Sequence, residues 1–251
     1  MAKSNYFDSP KPRVFAHRGF SHKLEGVDEN TLEAFAAAID HGAEFIETDT
    51  QATNDGVAVL FHDDDLQRLF GVPARVGQLS LDELKKLRLP SGTRIPTLEE
   101  ALTAFPVAKL NIDVKSKNAI IPTATAIENT DSHSRVLVSS FSNRRRRATL
   151  ELLSAEVATS GSMSTVIQIW LSHKFLGGIG LRSLTKQIDA LQLPTKYGPI
   201  NFASAPLIER LSTLDIETHF WTINDRLQMT ELIELGASGI VTDRTDLASN
   251  L

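Results

Sequence analysis

The chain has 251 residues, a net charge of −5 and 41% hydrophobic residues, a profile of ordinary globular material rather than of a disordered or membrane-spanning chain. It contains no cysteine, which excludes disulfides, thiolate nucleophiles and cysteine-ligated zinc or iron–sulfur centres, so any metal needs Asp, Glu or His ligands. The acidic balance speaks against general nucleic-acid binding, and no stretch has the length of a membrane span or the pattern of a secretory signal, so a cytoplasmic protein is expected.

Residues 1–13, "MAKSNYFDSPKPR", read as a loose arm, and 14–251 as a single domain. The first strand candidate is "RVFAHRG". A helix follows in "NTLEAFAAAIDHGA", where Leu32, Phe35, Ala36 and Ile39 keep the spacing of one helical face. Asn30 is placed to cap it, with Glu33 as the capping-box partner, and Gly42 ends it. Next come "FIETD" and "VAVLFHD", joined by "NDG", a hairpin-turn signal. So short a connection permits only antiparallel pairing, which makes the second segment an excursion from the first rather than a strand in its own right. Counting back from the turn sets His62 opposite Thr48 and Asp49.

Residues 64–96 carry no strong strand signal and read as an insertion. "SLDELKKLRL" and "TLEEALTAF" open with capping boxes, Ser80 with Glu83 and Thr97 with Glu100. Alternation then resumes with strands "KLNIDVK", "RVLVSSF", "EVATSG", "IDALQLP", "ETHFWTIN" and "GIVTD", with helices such as "APLIERLSTL" and "RLQMTELIELGA" between them. With the hairpin arm discounted, the total is eight β/α units. Eight such units in about 250 residues predict an α/β fold of the TIM (β/α)8 barrel type.

Polar residues collect at the C-terminal ends of these strands: His17 and Arg18, Glu47 and Asp49, Asp113 and Lys115, Trp221 and Asn224, and Asp243. In barrels that face carries the active site. Glu47 and Asp49, two apart on a strand, point the same way and repel unless a cation joins them. Asp113 offers a third oxygen ligand, and an all-carboxylate set suits Mg2+ or Ca2+. His17 and His62 are suited to act as acid and base near neutral pH. Arg18 and Lys115 match phosphate. Trp221 either walls a pocket or belongs to the core. Each residue alone also has a structural reading: a carboxylate paired with an arginine, a histidine bonded to backbone. "NRRRR" at 143–147 opens a helix and reads as a solvated face.

The segments "AHRG", "DENTLEAFAAAIDHGAEFIETDTQATNDGVAVLFHD", "IPTLEEAL", "NIDVK", "FWTIN" and "GIVTDR" resemble, in order and spacing, the glycerophosphodiester phosphodiesterase family. The resemblance runs from about residue 14 to 246. It implies a metal-dependent TIM barrel that cleaves glycerophosphodiesters to glycerol 3-phosphate and an alcohol. It also implies His17 and His62 as the acid–base pair, Arg18 and Lys115 on the phosphate, and Glu47, Asp49 and Asp113 as metal ligands. The family's glycerol 2-hydroxyl is the implied nucleophile. Two departures stand out: Asp28 replaces a usual Pro, and Asp113 a usual Glu. Two other readings stay open. One is a lipid phosphodiesterase of the lysophospholipase D or sphingomyelinase D kind. The other is a non-catalytic barrel that binds a phosphorylated ligand. The expected partner is a small-molecule glycerophosphodiester substrate, with no nucleic acid and no stable membrane insertion.

Overall fold

A computed structural model describes residues 5–22, 24–248 and 251. Eight parallel strands form a ring: β1 (Arg13–His17), β2 (Phe45–Ala52), β3 (Lys109–Val114), β4 (Val136–Ser139), β5 (Ala158–Thr159), β6 (Ala190–Pro194), β7 (Glu217–Trp221) and β8 (Gly239–Thr242). Their order around the ring is β5-β4-β3-β2-β1-β8-β7-β6, and a parallel bridge between Ser160 and Ala190 nearly closes it. The predicted TIM barrel is present, with each strand candidate in its place.

Helices cover the outside of the ring. On one side β2, β3 and β4 pack against helices Leu32–Asp40, Leu98–Ala104 and Ile120–Asn129; on the other β6, β7 and β8 pack against Ala205–Ser212 and Arg226–Glu234. The barrel interior is a third apolar layer of Phe15, Phe45, Leu137, Ala158, Ala190 and Val241. A fully buried Phe such as Phe15 contributes about 2–3 kcal/mol. This layer separates the two ends of the barrel. Among the described residues no helix is long and apolar enough to cross a membrane.

The N-terminal segment differs from the expected loose arm. Residues 1–4 lie outside the described residues, but Tyr6 and Phe7 are buried and join the interior layer from below. Arg13, buried on β1, donates from Nε to Glu217 Oε2 at 2.8 Å and from Nη2 to Oε1 at 3.0 Å, and its guanidinium also holds the carbonyls of Phe7 and Ser9. Lys109, the first residue of β3, bonds Asp8 and Ser9. The segment is a plug held by buried charge, a role that no periodic pattern announces.

Residues 64–96 are compact. Leu66, Val76, Leu84, Leu89 and Ile95 form a small core against Val59 and Phe61 of the hairpin arm. Both capping boxes form as expected. The first helix does not start as expected: Thr31, not Asn30, accepts from Ala34 N at 3.1 Å and caps it. Asn30 is drawn into the site instead.

Candidate active site

The site begins with the ribbon made by β2 and its return arm, Ala58–Leu60. The turn runs from Thr53 to Val57, with Gly56 at φ 82° supplying the left-handed residue. Thr50, Gln51 and Ala52 pair with Leu60, Val59 and Ala58. Phe61 N donates to Asp49 O at 3.1 Å, which carries the register on and sets His62 across from Thr48. The hairpin therefore delivers His62 beside Glu47 and Asp49, as the turn predicts.

The turn after β1 delivers His17 and Arg18. Arg18 adopts a left-handed φ of 57° and its N–H donates to Glu47 O at 2.9 Å. Gly19, at φ 83°, packs so closely on the first helix that a Cβ would lie 2.7 Å from Ala34. Only glycine fits there. Asn30, also left-handed at 57°, donates from its backbone to Arg18 O and from Nδ2 to Asp49 Oδ2 at 3.0 Å, while Thr48 donates to its Oδ1 at 2.7 Å. Two non-glycine residues in that conformation, side by side, mark backbone held for a purpose.

Asp49 is the hub. Lys115 Nζ lies 2.7 Å from its Oδ1 and Arg18 Nε 3.2 Å from its Oδ2. Burial alone would raise its pKa, but Lys115 and Arg18 outweigh that and lower it. Asp113 stands opposite Asp49 in register, and Lys115 also contacts its Oδ2 at 2.8 Å. Burial nonetheless raises the Asp113 pKa, and its Oδ1 meets no hydrogen-bond partner. Glu47 is buried with Asp49 as a neighbour, and the two effects push its pKa up to about 7.

Glu47, Asp49 and Asp113, the expected ligand set, all line the same cavity. Among the described residues no three His, Asp or Glu side chains come together closely enough to hold an ion. Lys115 stands between Asp49 and Asp113, and its ammonium supplies the positive charge there. The donor chemistry still fits a hard cation. All three groups are carboxylates, Glu47 lacks enough positive charge to ionise readily, and Asp113 keeps a buried oxygen unpaired.

Each histidine has an acidic partner. His17 Nδ1 lies 2.6 Å from Asp243 Oδ1, and His62 Nδ1 lies 2.7 Å from Asp63 Oδ1. A carboxylate accepts, so each Nδ1 carries the proton and each Nε2 is left for chemistry. Burial opposes protonation of His17, but the hydrogen bond to Asp243 and the charge of Glu47 prevail and raise its pKa. Asn224 Nδ2 holds the other Asp243 oxygen at 2.7 Å. Arg68 holds Asp63 and shares Glu29 with Arg18, so the insertion is tied to both sides of the site.

His17, Arg18, Glu47, Asp49, His62, Asp113, Lys115 and Trp221 all line one cavity of ≈190 Å³. Trp221 is therefore a pocket wall. It meets Phe141 edge to face at 6.1 Å, and Phe141 projects at the lip, 52% exposed. Sequence reasoning left Asp63 and Asp243 without a role, although Asp243 was placed on the site face, read Asn30 only as a helix cap, and missed Glu29 and Arg68. The first two directly follow a strand-end histidine or a strand, which is a usable signal; the others depend on chain crossings. "NRRRR" is not simply a solvated face. Arg146 is buried and ties the helix Asn143–Leu150 to Thr159 and the Gln187 carbonyl, while Arg145 Nε donates to Ser140 Oγ at 3.1 Å.

The sequence model of the Glycerophosphoryl diester phosphodiesterase family matches residues 17–247. The chain is 38% identical over 235 residues to a probable glycerophosphodiester phosphodiesterase 2 of Mycobacterium tuberculosis, covering 93% of this chain and 88% of that protein. It is 30% identical over 256 residues to a glycerophosphodiester phosphodiesterase of Caldanaerobacter subterraneus, covering 96% and 98%. The crystal structure of a glycerophosphodiester phosphodiesterase from Thermotoga maritima superposes with a TM-score of 0.73 at 25% identity, covering 96% of this chain and 98% of that one. The chain belongs to the glycerophosphoryl diester phosphodiesterase family, a family of enzymes.

Proposed function

We propose that this site hydrolyses glycerophosphodiesters to glycerol 3-phosphate and an alcohol by acid–base catalysis between His17 and His62. The observation that carries the reading is the pair of histidines, each fixed at Nδ1 by its own aspartate, in one cavity with Arg18 and Lys115. Arg18 and Lys115 hold the phosphate oxygens and stabilise the charge that builds on them. One histidine takes the proton from the glycerol 2-hydroxyl as its oxygen bonds to phosphorus. The other gives a proton to the alkoxide as the P–O bond to the alcohol breaks. Water then opens the cyclic phosphate, with the two histidines in exchanged roles.

Glu47, Asp49 and Asp113 would hold a divalent cation, Mg2+ or Ca2+, which supplies charge neutralisation at the phosphoryl oxygens. The oxygen-only donors and the unpaired Asp113 Oδ1 support this. A panel of choline, ethanolamine, glycerol and inositol glycerophosphodiesters, assayed with EDTA and with added Mg2+, Ca2+ or Mn2+, tests both parts. The expected result is release of glycerol 3-phosphate that EDTA abolishes and a divalent ion restores. No turnover of any member with any ion rejects the activity; turnover untouched by EDTA rejects the cation.

A further inference from the structure

Two buried amides also line the cavity, at the depth of Glu47. Asn111 precedes Asp113 by two residues on β3, so both side chains face inward and Asn111 lies one pleat repeat deeper, about 7 Å. It is 1% exposed, lines the cavity, and its Oδ1 meets no hydrogen-bond partner among the described residues. Gln192 on β6 lines the same cavity, and its Nε2 is likewise buried without a partner. A buried amide atom left unpaired is costly. In register Asn111 stands beside Glu47 and Leu137, and Gln192 beside His219, so neither free atom is spent on joining strands.

We propose that Asn111 and Gln192 form the subsite for the terminal hydroxyl of the substrate's glycerol arm. This rests on the glycerophosphodiester reading and deepens it. A hydroxyl both donates and accepts, and the two free atoms are one acceptor, Asn111 Oδ1, and one donor, Gln192 Nε2. With the phosphate held by Arg18 and Lys115 above, the short polyol arm points down to the amides. The alcohol arm points out past Phe141, whose ring is half in solvent. The two arms of the diester are thus sorted by polarity and depth. Recognition is strict for the glycerol arm and permissive for the alcohol.

The test compares sn-glycerol 3-phosphate with propane-1,2-diol 1-phosphate, which lacks only the terminal hydroxyl. Inhibition constants, with calorimetric affinities beside them, are measured for wild type, Asn111→Ala and Gln192→Leu, each checked by circular dichroism and thermal melting. Wild type is expected to prefer glycerol 3-phosphate by about tenfold or more. Either variant compresses that preference toward parity and leaves the diol phosphate within about twofold of its wild-type value. Gln192 is only partly buried, so Gln192→Leu remains informative if Asn111→Ala does not fold. A wild type without the preference, or variants that keep it or weaken both ligands alike, overturns the subsite. Absence of diesterase turnover in wild type would instead overturn the activity reading, and the affinity comparison would still be readable.

Discussion

His17 Nδ1 and Asp243 Oδ1 are 2.6 Å apart, and they join the end of the first barrel strand to the end of the last. The pair fixes the ring so that Nε2 faces Glu47 Oε2, 3.9 Å away. Asp243 is thus a positioning residue and a source of the raised His17 pKa. Asp243→Asn should lower kcat about 10–100-fold. It should also move the limb of the pH–rate profile that reports His17 toward acid, because the imidazolium loses its partner. A kcat loss with an unmoved limb would assign Asp243 a merely structural part.

His17→Ala and His62→Ala should each lower kcat by roughly 10²–10⁴-fold. The double variant should lose little more than either single one, since the two groups act in one proton relay. Both residues are partly exposed at the mouth, so the melting temperature should hardly change. Near-wild-type turnover in His17→Ala would remove the acid–base assignment.

In the chelator-treated protein Glu47 makes a pH-dependent contribution to stability. Its pKa rises from an ordinary 4.5 in the unfolded chain to about 7 in the fold. The folded state therefore binds the extra proton, and the contribution of Glu47 to stability is fully present below 4.5 and is lost as pH rises through about 7. Glu47→Gln, which cannot ionise, should flatten this dependence and melt roughly 5 °C above wild type at pH 8. Added divalent cation should raise the wild-type melting temperature more at pH 8 than at pH 5.5, because proton and cation compete for one carboxylate. Parallel melting curves for the two proteins from pH 5 to pH 8 would contradict the buried-carboxylate account.

Asn30 separates backbone from side-chain effects. Its φ of 57° suits glycine, while its amide holds Asp49 and Thr48. Asn30→Gly keeps the turn and loses the bonds; Asn30→Ala loses both. Asn30→Ala should therefore be about 1 kcal/mol less stable than Asn30→Gly in urea unfolding. Both should raise KM by a similar factor, because Asp49 then holds Arg18 less firmly. Equal stabilities would mean that the left-handed backbone carries no strain here.

Much of the fold was legible because its signals are local. Strand-length apolar runs, the "NDG" turn and the capping boxes at Ser80 and Thr97 each depend on a few neighbouring residues, and each is found in place. Seven candidate site residues were legible because titratable groups at the ends of apolar strands have no packing explanation, and all seven, with Trp221, line one cavity. What stayed hidden depends on residues far apart. The Lys115 ammonium between Asp49 and Asp113 is set by side-chain reach, not strand register. Asn30 carries the residue type of a helix cap, and only the approach of β2 diverts it to Asp49. Tyr6 and Phe7 show no periodicity, so nothing in the arm itself foretells the barrel bottom that receives them.

That plug has a bearing on how the chain is made. Arg13 and its partner Glu217 are 204 residues apart, and β1 completes its hydrogen bonding only against β2 and β8. On a ribosome the plug must wait for the chain as far as Glu217, 204 residues on, before the Arg13 guanidinium finds a carboxylate. Until then Tyr6, Phe7 and an unpaired Arg13 stay exposed. The nascent chain should therefore depend on chaperones until β7 emerges, and stalled or C-terminally shortened products should be cleared by proteases.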